Sequence, residues 1–408
     1  MKTALLLLLF SISTIVYAEV ITGWVSEENC KEQHTQPGGK DCVKKCLRGG
    51  THVGHPEWTP QKMVFIAETD KKIWTVENPE PLKTYAGERI QLSAKLNPAS
   101  NTLEVLEVVP YRKPVPFHLF RFRNGFWINL HHFLRGTARR ELHPESRLEV
   151  NLVVELNEQE KKDWEEALEY YKINFAEKDL LFDKDLWPIK NWLGDSENNP
   201  DLQSSGHEAL ADVLKKAAPV YRKYWWPEHQ RSNQEWIDVA QRLLDQFGSR
   251  IAGPIEAFYE GWPDEFTVDV TVEAGWAGAY TTDNPVRITH SSTDSKLQDY
   301  AALESLFHEA SHSRDQWLSD KLDAAALKVK QELPNRFWHA VLFYTAGEFT
   351  KKELEEVGIH YIPYAEKNKL FERDPASSIC AIQKKWAPHM NDSQWENLVS
   401  ALKDCRPE

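Results

Sequence analysis

The stretch Leu303-Glu304-Ser305-Leu306-Phe307-His308-Glu309-Ala310-Ser311-His312 constrains this chain more than any other. It contains His-Glu-x-x-His. Leu303, Phe307 and Ala310 recur at three- and four-residue steps, and neither Gly nor Pro occurs from 286 to 333, so the spacing predicts a helix. On a helix His308 and His312 stand one turn apart on one face, where two imidazoles can meet one metal ion. Glu309, beside the first histidine, can act on a water there without binding the metal. A chance match on a polar helix is the plain alternative. Small, uncharged Ala310 and Ser311 inside the motif and a strand-rich approach to it argue against chance.

Residues 1–18 read as a signal peptide rather than as part of the fold. Lys2 gives a short positive start, Ala4 to Val16 is apolar, and Val16-Tyr17-Ala18 offers small residues for cleavage after Ala18. No later stretch approaches the ~20 apolar residues of a spanning helix, so the mature protein is expected to be exported, periplasmic or secreted, without membrane insertion. The net charge of −13 excludes nucleic acid or anionic lipid as the main partner. Export favours disulfides among the five Cys. The simplest pairing joins Cys380 to Cys405 and Cys30 to either Cys42 or Cys46, which leaves one Cys over.

At 408 residues the chain exceeds what one core usually serves, so two domains are expected after the leader. Residues 19–112 read as all-β: Lys62 to Ile66, Lys72 to Val76, Arg89 to Ala94 and Thr102 to Val108 are short or alternating β-rich runs. Small barrels of the OB type look like this, and Gly23-Trp24-Val25-Ser26 followed by Cys30, Cys42 and Cys46 resembles small secreted bacterial β-modules. Pro110, Pro114 and Pro116 mark a stiff linker, so the second domain is drawn over 113–408. Phe117 to Glu141 reads as helix. Within it Asn129, His131 and His132 can serve a site, although packing is the safer reading, because adjacent histidines point to different helix faces. Asn157-Glu158-Gln159-Glu160 starts a further helix as a capping box, and helices are also expected near 206–225 and 232–251. Glu265 to Val272 alternates strictly as a strand. The Gly275 to Tyr280 segment after it can let a substrate backbone pair with a sheet edge, or can be an ordinary tight turn.

The motif helix after a small sheet resembles the zincin metallopeptidases, and specifically their Glu-ligand branch, the gluzincins. No third His follows the motif closely, and Arg314 stands where that family usually has a hydrophobic residue. With the small β-barrel read from residues 19–112, the resemblance implies an α+β fold, in which that barrel precedes a mainly helical zincin-like domain. It implies, too, Zn2+ held by His308 and His312, with Glu309 as general base. A catalytic zinc needs a third protein ligand. Glu348 is the first candidate, because Phe337 to Glu348 is apolar nearly all round and a carboxylate buried there is costly unless paired or bound to metal. His339 is the rival. Nine residues from Glu348 it falls on the opposite helix face, so the two cannot serve one ion. Asp315 can hold a ligand imidazole from outside, and Tyr344 can donate to the oxyanion that forms when water attacks a carbonyl, with His360 and Tyr361 next in line. The function expected is zinc-dependent hydrolysis of peptide or other amide bonds in a peptide or protein substrate. The rival is a non-catalytic envelope or extracellular binding protein that retains a zinc-binding helix.

Overall fold

A computed structural model of the chain describes residues 18–29, 31–34, 40–50, 59–109, 114–143, 155–199, 201–203, 206–373 and 375–405. The expected leader up to Tyr17, the Cys30 pairing and the start of the Pro-rich linker lie outside the described residues. The fold is mixed α+β with two sheets. It divides into two compact units. One holds Met1–Lys113 and Leu354–Tyr361, the other Pro114–Glu353 and Ile362–Glu408. Leu354–Tyr361, late in the chain, thus belongs to the first unit rather than to the piece drawn over 113–408. Ser93 Oγ donates to Gly358 O at 3.3 Å there, a link between residues 265 apart that no local pattern carries.

In the first unit five strands, β1 (Ala18–Glu27), β2 (Met63–Ala67), β3 (Ile73–Val76), β4 (Arg89–Asn97) and β5 (Thr102–Val109), form one sheet. β1 pairs antiparallel with both β2 and β4, β3 with β2, and β5 with β4, while β3 and β5 run parallel, so the order β1-β2-β3-β5-β4 closes on itself. Alternation puts Leu92, Ala94, Leu103 and Val105 inside with Val25 and Phe65. Gly23 is required where β1 crosses β2, because a Cβ there would stand 2.1 Å from Ile66 O. The all-β reading missed one helix, α1 (Lys40–Arg48). It is nine residues of mostly Lys, Asp and Cys, and its apolar side is only Val43, Cys46 and Leu47, too short a run to stand out as a helix in sequence. Cys42 and Cys46 lie one turn apart on it.

In the second unit β6 (Phe120–Arg123), β7 (Phe266–Thr271), β8 (Ala279–Thr282) and β9 (Arg287–Ser291) form a sheet in the order β6-β7-β9-β8. The first three run parallel and β8 lies antiparallel at the edge. β6 interrupts what reads in sequence as one helix; the helix proper is α2 (Phe126–Leu142). Asn129 is buried and ties α2 to β7, donating to Val270 O at 3.0 Å and accepting from Val272 N at 3.1 Å. His131 and His132 are buried as well, bonded to the Tyr171 and Tyr280 hydroxyls, in keeping with a packing role for all three residues. The Asn157 capping box is present on α3 (Glu158–Asn174). α4 (Leu186–Ser196), α5 (Glu208–Tyr224), α6 (Trp226–Leu243) and α7 (Ser249–Phe258) follow. After the sheet come α8 (Tyr300–Ser311), α9 (Asp315–Val329), α10 (Phe337–Glu355), α11 (Tyr364–Lys367), α12 (Ala376–Lys385) and α13 (Asp392–Asp404). Cys380 on α12 is bonded to Cys405 just past α13, 25 residues on, as expected. Among the described residues no helix is long and apolar enough to cross a membrane.

β7 and β9 are further locked by Asp269 and Arg287, both buried, with Nη2 to Oδ1 at 2.9 Å. Removing one partner leaves an uncompensated buried charge. Asp269→Ala is therefore expected to destabilise the second unit by about 3–5 kcal/mol, read by chemical denaturation. A change within about 0.5 kcal/mol, the scale of an ordinary surface substitution, would show that the pair contributes nothing net.

Candidate metal and catalytic site

α8 is buried along nearly its whole length, between β8 and α6, which fixes the motif against the edge strand of the sheet. The helix ends at Ser311 and tightens into a 3-10 turn over His312–Arg314, with His312 still at helical φ/ψ. Arg314 helps hold that turn, donating to Tyr259 O at 2.8 Å. His308 and His312 stay on one face, with ring centroids 5.0 Å apart.

The third group at this face is His339. The ligand-capable nitrogens of His308, His312 and His339 all lie within 4.8 Å of one another. The His339 ring centroid is 5.4 Å from that of His308 and 5.2 Å from that of His312. Glu348, expected as the third ligand, is not among these groups. On α10 the face turned toward α8 carries His339, Phe343 and Gly347, spaced by four. The Phe343 ring stacks on His308 with centroids 3.7 Å apart, and a Cβ at Gly347 would stand 3.3 Å from Glu304 Oε1. Glu348 is nine residues, or two and a half turns, from His339 and so leaves this face. It is half-buried and absent from the pocket wall. Tyr344 goes with it: its ring packs on Trp386, 5.5 Å between centroids, and it does not line the pocket. His360 and Tyr361 belong to the first unit.

The three histidines open onto a cavity of about 570 Å3, within the ~300–1,000 Å3 range of small-ligand sites. Its walls include Ala279, Tyr280 and Thr281 of β8, Glu309, Asp315 and Tyr364. Glu309 is buried, and its carboxylate accepts from Thr281 Oγ1 at 2.7 Å. Burial pushes the Glu309 carboxyl up to about 7, against the Thr281 hydrogen bond and the Lys190 charge, which pull it down. A cation held by the histidines would lower it further. Asp315 faces the same cavity, its carboxyl raised by burial and by Asp283, and it is no member of the histidine cluster.

The histidines suit a metal. Burial first, then His312 and His339, holds His308 well below the usual imidazole range; burial and Arg336 bring His312 to about 4. Neutral imidazoles are what a metal requires. His308 Nδ1 is buried with no hydrogen-bond partner among the described residues, a cost that a bound cation would remove.

Sequence reasoning missed Thr281 and Tyr364. Tyr364 is brought in by Glu304, one turn before His308, whose Oε2 accepts from the Tyr364 backbone N–H at 2.8 Å. Burial, then Asp294, raises the Tyr364 hydroxyl to about 12, so it remains a donor. The only sequence signal for it is Glu304 itself, an acid on the otherwise apolar side of the motif helix. No family model matches this chain, and no curated protein or solved structure proves similar to it.

Proposed function

We propose that His308, His312 and His339 hold a zinc ion and that the chain hydrolyses peptide or other amide bonds, with Glu309 as general base. The observation that carries this reading is the meeting of three imidazoles from two helices beside a buried carboxylate, at the wall of a cavity bounded by an edge strand. Zinc, when bound, would supply a Lewis acid that polarises the scissile carbonyl and lowers the pKa of water. Glu309, oriented by Thr281, takes the proton of the attacking water and returns it to the leaving amine. The Tyr364 hydroxyl is the donor for the developing oxyanion, the role first given to Tyr344. Among the described residues β8 has no strand on its outer side, where an extended substrate can add. On this reading the ligand set is three histidines, a departure from the Glu-ligand zincins.

The first unit is read as an OB-type binding module, from its cyclic strand order. Export to an oxidising compartment belongs to the same reading and is supported by the Cys380–Cys405 disulfide. The test is to measure metal and turnover on one purified sample. About one zinc per chain is expected, with hydrolysis of a peptide library lost on chelation and regained with zinc. Zinc without any turnover would favour the non-catalytic binding protein. Turnover that survives complete removal of metal would sink the mechanism.

A further inference from the structure

Beside the histidines the cavity continues into a small recess of about 170 Å3, whose walls include Asn335, Arg336, His339, Phe343, Leu370 and Arg373. It is well below the ~300 Å3 at which ligand-sized pockets begin, so it suits one residue rather than a length of chain. Arg336 and Arg373 border both the recess and the main cavity. In a chain with 62 acidic against 49 basic residues, an arginine at the surface has carboxylates to choose from. Arg231, Arg250 and Arg123 all use them. Among the described residues neither Arg336 nor Arg373 has an ion-pair partner. The hydrogen bonds they make go to His339 Nδ1, 3.1 Å from Arg336 Nη2, and to Leu370 O, 3.3 Å from Arg373 Nε.

The first of those bonds would be lost if His339 held a metal. A neutral imidazole has one lone pair, and a metal ion that takes it leaves an N–H on the other nitrogen. His339 would then have no acceptor to offer Arg336, and the guanidinium would need a new one. Arg336 also sits at φ +60, a left-handed backbone that a residue with a side chain rarely adopts, at the step into α10.

We infer that Arg336 and Arg373 bind a carboxylate of the substrate next to the scissile bond, so that the site prefers substrates bearing a negative charge on the His339 side. This rests on the proposed metal site for the release of Arg336, and on the hydrolase reading for the reaction. A planar guanidinium fork matches a carboxylate with two parallel hydrogen bonds, so two arginines at one recess favour this group over a neutral amide. The carboxylate can be a chain terminus or an Asp or Glu side chain.

The experiment is calorimetric titration of the full chain carrying Glu309→Gln, with and without one equivalent of zinc. The probes are three short peptides: one with a free C-terminus, the same peptide amidated, and an amidated peptide with Glu for Gln at its last residue. At least about tenfold tighter binding is expected for a peptide bearing the carboxylate, the scale of a charge-assisted hydrogen bond. The advantage should fall in Arg336→Ala and Arg373→Ala, and partly return in Arg336→Lys. Both arginines are exposed, so these variants should fold. Preference for the free terminus assigns the carboxylate to a chain end, and preference for the Glu peptide to a side chain. Equal binding of all three, or none, overturns the inference. Discrimination in protein that neither binds zinc nor hydrolyses peptides would keep the inference and sink the hydrolase reading instead.

Discussion

Glu309→Gln is expected to remove hydrolysis while leaving zinc in place. The amide has the shape of the carboxylate, and its oxygen can still accept from Thr281 Oγ1, so the packing of α8 on β8 is preserved. What it loses is the lone pair that takes a proton from water. Proton transfer by a positioned side chain contributes about a hundredfold to ten-thousandfold, and turnover should drop by that much. Zinc content should not change, because Glu309 stands outside the histidine cluster. The two readouts separate base from ligand: metal by mass spectrometry, and initial rates on a peptide that the parent protein cleaves. Near-normal turnover rules out Glu309 as the base. Loss of zinc together with turnover makes it a ligand, and the three-histidine set would need revision.

The parts of this molecule legible in the sequence are those whose cause is local. His308, Glu309 and His312 sit on one helix, and a four-residue spacing is enough to place two imidazoles on one face. β7 declares itself by strict alternation and α3 by its cap. Which of Glu348 and His339 completes the set was not legible for a physical reason. α10 is apolar nearly all round, so periodicity does not reveal which of its faces meets α8. The cost of burying a carboxylate then pointed to Glu348, although that side chain is only half-buried. The face is chosen by Phe343 and Gly347, one stacking on His308 and the other admitting Glu304. Neither contact has a signature along the chain. Tyr364 is the same kind of case: it reaches the cavity through a single backbone hydrogen bond to Glu304, sixty residues earlier.

His339→Ala is expected to lose zinc and activity together, and Glu348→Ala to keep both. Two imidazoles one turn apart leave a zinc shell too open, and His339 is the third ligand-capable group within 4.8 Å. Loss of an outer-shell partner already costs about 10- to 100-fold in metal affinity, so deletion of a direct ligand should cost more. Glu348 does not line the cavity and lies on the side of α10 that carries Tyr344. Tyr344→Phe should accordingly leave turnover near normal, whereas Tyr364→Phe should lower it. The measurement is zinc retained after dialysis against a weak chelator, with circular dichroism to show that each variant is folded. His339→Ala also removes a ring packed on Phe343, centroids 4.7 Å apart, so His339→Gln provides a second variant that fills more of the space. If Glu348→Ala sheds the metal while both His339 variants retain it, the helix presents its other face in solution and the Glu-ligand set is the right one.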